Sequence, residues 1–223
     1  MPKKIPIEKK VTKKKEIDWP ALRPVPPTED LSLSPILDGQ IYIIRNLLSS
    51  SLCKTYISFL SSLPLVTTPN KPKKDEALRV NDRFQVDDAL FAERLWSDTA
   101  LKQLVSDASV DWDGDVVGLN PNIRVYRYTK GQFFGQHYDE SVVTVKGKTT
   151  WTLLVYLSRC SGGETAFYPE GEKGKRQPEP IVVGMEVGMA LLHRHGDGCL
   201  LHEGREVTGG EKWVVRSDLV VKR

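Results

Sequence analysis

The 223-residue chain is short of several things, and each shortage narrows its class. Only three cysteines occur, Cys53, Cys160 and Cys199, too few and too scattered for a disulfide framework, which fits a reducing compartment. No run of about 18 apolar residues exists, so no segment is suited to span a bilayer as a helix, and no membrane partner is expected. The opening Met1-Pro-Lys-Lys-Ile-Pro lacks the apolar stretch of a secretory signal, and a cytoplasmic or nuclear location is expected from that. No internal repeat is visible.

The net charge of +3 is unevenly spread. Residues 1–23 carry eight Lys or Arg against three acidic residues, so the remainder is slightly acidic. The lysine runs read equally as a nuclear address or nucleic-acid arm and as a solvated tail that aids solubility. With Pro20, Pro24, Pro26, Pro27 and Pro35 following and few large apolar side chains, residues 1–37 are expected to be disordered and partly polyproline-like. Residues 38–223 are then one domain with a sizeable core, divided into a helical support region, 38–110, and a β core, 111–223.

Periodicity supports that division. Ile41-Tyr-Ile-Ile44 reads as a short strand. Leu52, Tyr56, Phe59 and Leu60 recur at helical spacing after a serine run able to cap the helix, and Pro64 ends it. Asp87 or Asp88 can cap a second helix carrying Leu90, Phe91, Leu95 and Trp96, with Leu101 to Val105 extending the helical region. From Ile123 the period becomes two or the runs become continuous: Ile123 to Tyr128, Trp151 to Leu157, Ile181 to Val183, Met189 to Leu192 and Trp213 to Val221, separated by glycine-rich turns. The fold expected is mainly β with packed helices, a closed or sandwiched β core with helices on one side.

Chemistry concentrates around Gly131-Gln-Phe-Phe-Gly-Gln-His137-Tyr-Asp139. In extended chain a histidine and a carboxylate two residues apart face the same side and can grip one metal ion. His202 is the candidate third ligand, and four or five short strands fit between Asp139 and His202. Two histidines and one carboxylate leave open positions on a metal, the arrangement associated with non-heme Fe(II) sites that activate O2. A structural zinc site would instead fill all four positions.

These segments, in their order, resemble the Fe(II)- and 2-oxoglutarate-dependent dioxygenases, in the branch similar to prolyl 4-hydroxylases. The resemblance runs from about Ile41 to Val221 and rests on Arg124-Val-Tyr-Arg-Tyr128 leading into His137-Tyr-Asp139, then Gly162-Gly-Glu-Thr-Ala-Phe167, then His202-Glu-Gly204 with Lys212. It implies a double-stranded β-helix, a jelly-roll core with N-terminal supporting helices and iron at its open end. By resemblance, His137, Asp139 and His202 are the iron ligands, Lys212 meets the far carboxylate of 2-oxoglutarate, Arg216 is its reserve, and Tyr128 donates to the same carboxylate. A carboxylate buried in a barrel needs such a cation. Thr165 and Trp213 are placed at the pocket with less support, and Arg124 near substrate or co-substrate. Fe(II), 2-oxoglutarate, O2 and ascorbate as reductant are the implied cofactors.

Blander assignments cover the rest. His193 and His195 read as turn or surface residues and Cys199 as a buried thiol that should not converge with His202. Phe133, Phe134 and Trp151 read as core. The charged stretches from Thr67 to Arg79 and from Glu170 to Pro180 read as solvated surface, the first also matching the mobile loop that covers peptide in prolyl hydroxylases. The expected activity is hydroxylation of a C–H bond with release of succinate and CO2, on a protein or peptide prolyl residue first, with nucleobases, lysines or small molecules as alternatives. A non-catalytic jelly-roll binding module and a nucleic-acid protein led by the tail are the competing classes.

Overall fold

Alternation along the long strands decides which way each side chain faces. In Lys148–Tyr156, Trp151, Leu153 and Val155 enter one core cluster while Tyr156 and Leu154 enter another. In Lys212–Val221, Trp213, Val215 and Leu219 join the first cluster and Val214 the second. In Asn122–Tyr128, Ile123 and Val125 face one way and Tyr126 and Tyr128 the other. One face of this sheet therefore packs on helices, and the opposite face closes a second layer.

The computed structural model describes residues 17–68, 77–171, 174 and 176–222. Its large sheet is antiparallel, with strands in the order Leu33–Leu37, Ile41–Ile44, Ala190–Arg194, Lys148–Tyr156, Lys212–Val221, Asn122–Tyr128, Asp82–Asp87 and Val66–Thr67; Val116–Leu119 also pairs with Lys212–Val221. A smaller sheet runs Ile181–Val183, Thr165–Tyr168, Leu201–Gly204, Phe133–His137 and Arg79–Val80. Phe167 and Val183 of the small sheet pack with Tyr126, Leu191 and Val214 of the large one, so the second cluster is the space between two facing sheets. This is the double-stranded β-helix expected from the sequence.

Three helices cover the outer face. α1 (Ser50–Leu60) starts at Ser49, whose hydroxyl accepts from the Leu52 amide at 3.3 Å, and it buries Leu52, Cys53, Tyr56 and Leu60. α2 (Ala89–Ser97) starts at Asp88, whose carboxylate accepts from the Phe91 amide at 2.9 Å. These caps satisfy amides that a helix start leaves open. α3 (Leu101–Asp107) follows directly. Leu90 of α2, expected on the apolar stripe, points outward and is 71% exposed. No helix among the described residues is long and apolar enough to cross a membrane.

Two expectations are corrected. Residues 17–37, expected to belong to a disordered tail, pack on the fold: Trp19 and Leu22 are buried, Trp19 stacks on Phe91 at 3.9 Å, and its indole N–H donates to Asp88 at 2.8 Å. Two large apolar side chains anchor a stretch whose average composition looks unable to fold. Residues 1–16, and with them the lysine runs, lie outside the described residues. The region 38–110 is also not only helical, since it supplies Ile41–Ile44, Val66–Thr67, Arg79–Val80 and Asp82–Asp87 to the two sheets. Strand edges that would otherwise stay open are covered in this way. Of the charged stretch from Thr67 to Arg79, residues 69–76 lie outside the described residues.

Candidate active site

The inward face of the large sheet, apolar in most sandwiches, carries polar groups at one end. Alternation places Arg124, Tyr126 and Tyr128 on one strand, Lys212 and Arg216 on the next, Thr152 on the third and His193 on the fourth, all facing the small sheet. Register completes the arrangement, with Lys212 opposite Tyr128 and Arg216 opposite Arg124. From the small sheet, His202 is directly opposite His137 in the ladder, and Asp139 follows two residues on. Five strands lie between Asp139 and His202, which is how a ligand 63 residues away returns to the same place.

His137, Asp139 and His202 offer ligand atoms that all lie within 4.8 Å of one another. The Nε2 atoms of His137 and His202 are 3.8 and 3.7 Å from the Asp139 carboxylate. Each ring is fixed from behind: Nδ1 of His137 is 2.8 Å from the Gly135 carbonyl, and Nδ1 of His202 is 2.9 Å from the Leu200 carbonyl. Carbonyls only accept, so both Nδ1 atoms carry the proton and both Nε2 lone pairs point at the same space. Burial pushes His137 down to about 3, with His202 adding to the effect, and burial also lowers His202. Both rings are neutral near pH 7, the form that binds a metal.

Asp139 is held in its charged form. Burial alone would raise it, but the Arg216 guanidinium, donating to Oδ1 at 2.9 Å, together with His193, His202 and His137 holds the carboxyl well below the usual range. Thr152 donates to Oδ2 at 2.8 Å. Two neutral imidazoles and one oriented carboxylate are a donor set that fits Fe(II) with open positions remaining.

Deeper in the same cavity lies Lys212. Its ammonium donates to the Gly163 carbonyl at 2.7 Å and sits 5.4 and 5.5 Å from the ring centres of Tyr128 and Tyr156. No carboxylate pairs with it among the described residues, and burial pushes it down to about 8. An enclosed cation without an anion is what a co-substrate carboxylate requires. Thr165 also lines this cavity, its hydroxyl 2.7 Å from that of Tyr156.

Other predicted residues fall elsewhere. Arg216 is not a free reserve for a carboxylate, because its fork is occupied by Asp139, Thr152 and Asp218. Trp213 turns to the helix-side core, as strand alternation next to Lys212 demands. Arg124 bonds Asn122 at 2.7 Å and lies 3.5 Å from Asp218, lining an outer groove. Phe134, half-buried against the second core cluster, also stacks on the His137 ring at 3.6 Å.

The sequence reading missed His193, which is 2% exposed and has Nε2 3.6 Å from Asp139. His195 is buried too, bonded to Thr149 and Thr152 at 3.0 Å each. Cys199 does approach His202, at 3.9 Å, and accepts from the Asp139 amide at 3.3 Å. It sits on the turn before the strand, so strand alternation does not separate the two. A strand running Ala190–Arg194 instead of stopping at Leu192 would have placed His193 inward.

Comparison with known proteins bears on the fold and on the family that part of the chain matches. The family model described as the 2OG-Fe(II) oxygenase superfamily matches residues 123–217, a span that holds every candidate ligand above. A search of curated proteins finds no match. Among solved structures, a viral collagen prolyl hydroxylase from Paramecium Bursaria Chlorella virus-1 in complex with 2OG superposes with a TM-score of 0.57 at 18% identity, covering 82% of this chain and 96% of that one. A prolyl hydroxylase in complex with a hypoxia inducible factor peptide fragment, from Trichoplax adhaerens, gives 0.57 at 18%, covering 82% and 83%. HygX from Streptomyces hygroscopicus, with nickel and 2-oxoglutarate bound, gives 0.57 at 16%, covering 82% and 83%. These likenesses establish the shared fold. The family match covers residues 123–217, and the fold is shared with these solved structures.

Proposed function

We propose that the protein is a dioxygenase that uses Fe(II), O2 and 2-oxoglutarate to hydroxylate a C–H bond of a prolyl residue in a protein or peptide, with release of succinate and CO2. The observation that carries the reading is the buried, carboxylate-free ammonium of Lys212 in the same cavity as His137, Asp139 and His202.

In this reading His137, Asp139 and His202 hold the iron, which supplies O2 activation when bound. Everything else is done by the chain. Arg216 and Thr152 aim the Asp139 carboxylate. The Gly135 and Leu200 carbonyls fix the tautomers of the two imidazoles. Lys212 holds the far carboxylate of 2-oxoglutarate, and Tyr128, its cross-strand neighbour, donates to it. The enclosing aromatic rings and Leu154 keep water out, so that the charge pairing acts in a low dielectric. Ascorbate serves as reductant in the assay that follows.

A prolyl substrate is supported by the prolyl hydroxylases that share the fold, one of them holding a peptide. The non-catalytic binding module is disfavoured by the intact donor set. The test is succinate formation by the purified protein with Fe(II), ascorbate and air, beside a His202→Ala variant. A signal lost in the variant is expected. No succinate, together with no metal-dependent binding of 2-oxoglutarate, would sink the enzyme reading.

A further inference from the structure

Outside the cavity the site opens into a groove whose walls carry arginines from both sheets. Arg79 stands on the last strand of the small sheet, Arg83 and Arg124 on neighbouring strands of the large one, and His137 and Asp139 line the inner end of the same groove. By contrast Arg127, on the opposite face of the Arg124 strand, bonds Asp82 at 2.7 Å. In the groove the balance differs. Neither Arg79 nor Arg83 has a carboxylate partner among the described residues. Arg83 instead donates to the amide oxygen of Gln85, and the Arg79 guanidinium stands over the Phe134 ring, 4.8 Å from its centre.

The charges are also close enough to feel one another. Burial pushes the Arg83 guanidinium below its ordinary value, and Arg79 and Arg124 add to that direction. Of the two acidic residues on the groove, Asp139 is already paired with Arg216, which leaves Glu140. Gathering like charges over half-buried rings costs stability unless an anion arrives to meet them.

We propose that this groove binds an extended acidic peptide, with Asp or Glu side chains near the oxidised residue meeting Arg79 and Arg83. The inference rests on the oxygenase reading of the adjoining site and adds to it the chemistry of the substrate. Guanidinium forks match carboxylates two oxygens at a time. A peptide is favoured over a nucleic acid as occupant because a prolyl hydroxylase of the same fold is in complex with a peptide fragment. Of the aromatic rings on the groove, Tyr126 is buried and Phe134 is covered by Arg79 and His137, while Tyr138 is exposed, so base stacking on Tyr138 is what the oligonucleotide arm of the test reads.

The test uses the full chain with Mn(II) and 2-oxoglutarate, and labelled peptides of one frame in which the residues flanking a proline are Glu, Gln or Lys, beside a labelled single-stranded oligonucleotide. Fluorescence anisotropy is expected to show the Glu peptide binding about tenfold tighter than the Gln peptide and the Lys peptide weakest, with the gap closing as salt rises. Arg79→Gln with Arg83→Gln should bring the Glu and Gln peptides to one affinity. Arg83→Glu should reverse the order in favour of Lys, an inversion that loss of folding cannot produce. Equal binding of the Glu and Gln peptides to the unaltered protein overturns the proposal, and so does a preference that survives the double substitution. Tighter binding of the oligonucleotide than of the Glu peptide replaces it with a nucleic-acid groove. Calorimetry of 2-oxoglutarate on the same preparation separates the two claims: no binding there with intact peptide discrimination sinks the oxygenase reading, and the reverse sinks the acidic-peptide groove alone.

Discussion

Lys212 carries the sharpest consequence at the scale of one residue. Pushed down to about 8 by burial, it must hold its proton to receive a carboxylate. Affinity for 2-oxoglutarate with Mn(II) is therefore expected to be flat below about pH 8 and to fall about tenfold per unit above it, which calorimetry at stepped pH will read. A flat profile at higher pH would mean that another cation meets the co-substrate. The stability sign follows from the same shift. The folded value lies below the unfolded 10.5, so the unfolded chain binds more protons between the two, and ligand-free stability from this group rises with pH across that window. Lys212→Met should weaken 2-oxoglutarate binding by at least about 100-fold, since leaving one buried charge unpaired costs roughly 3–5 kcal/mol. Thr152→Val removes the hydroxyl that aims Asp139. Its expected effect is about a tenfold loss of metal affinity by titration with a competing chelator, and unchanged affinity would show that Arg216 orients the carboxylate alone.

Among the elements, the N-terminal segment and α2 depend on each other. Trp19 fills the space beside Phe91, and its indole bonds Asp88, the residue that caps α2. Trp19→Ala should cost about 3–5 kcal/mol in urea unfolding, from lost burial and the cavity left behind. A midpoint like that of the unaltered protein would mean that the segment unfolds apart from the sheets. Composition could not reveal this contact, because lysines and prolines dominate any average taken over residues 1–37 while two side chains do the packing. The strands were more legible. Ile41–Ile44 and Ile181–Val183 match the expected bounds, and Asn122–Tyr128 and Lys212–Val221 begin one residue early, because apolar alternation and continuous apolar runs are local properties.

On the scale of the whole molecule, the site bridges two sheets: His137 and His202 come from the small one, with Asp139 just past the end of the His137 strand, and Arg216, Thr152 and Lys212 from the large one. Ligands that bind only this closed arrangement must stabilise all of it. Mn(II) with 2-oxoglutarate at about a hundred times the dissociation constant should add about 2.7 kcal/mol, a rise in melting temperature of about 5–11 °C for a domain of this size. Addition of EDTA should reverse the shift. A melting temperature indifferent to both would contradict a site shared between the sheets.

The sequence by itself determined the strand and helix periods, a serine run and an Asp87–Asp88 pair able to cap, the pairing of His137 with Asp139 on one side of the chain, and the match of residues 123–217 to a family model. These depend on near neighbours or on motifs in fixed order, and both survive in one dimension. Tertiary structure alone decided which charges are already satisfied. Arg216 and Lys212, four residues apart on one strand face, look alike in sequence, yet Arg216 meets Asp139 across the sheets and Lys212 meets only the Gly163 carbonyl and two rings. His193 likewise becomes a neighbour of Asp139 only when its strand is laid beside the one bearing Thr152. Partners that come from distant strands are set by sheet register and packing, which no local pattern encodes.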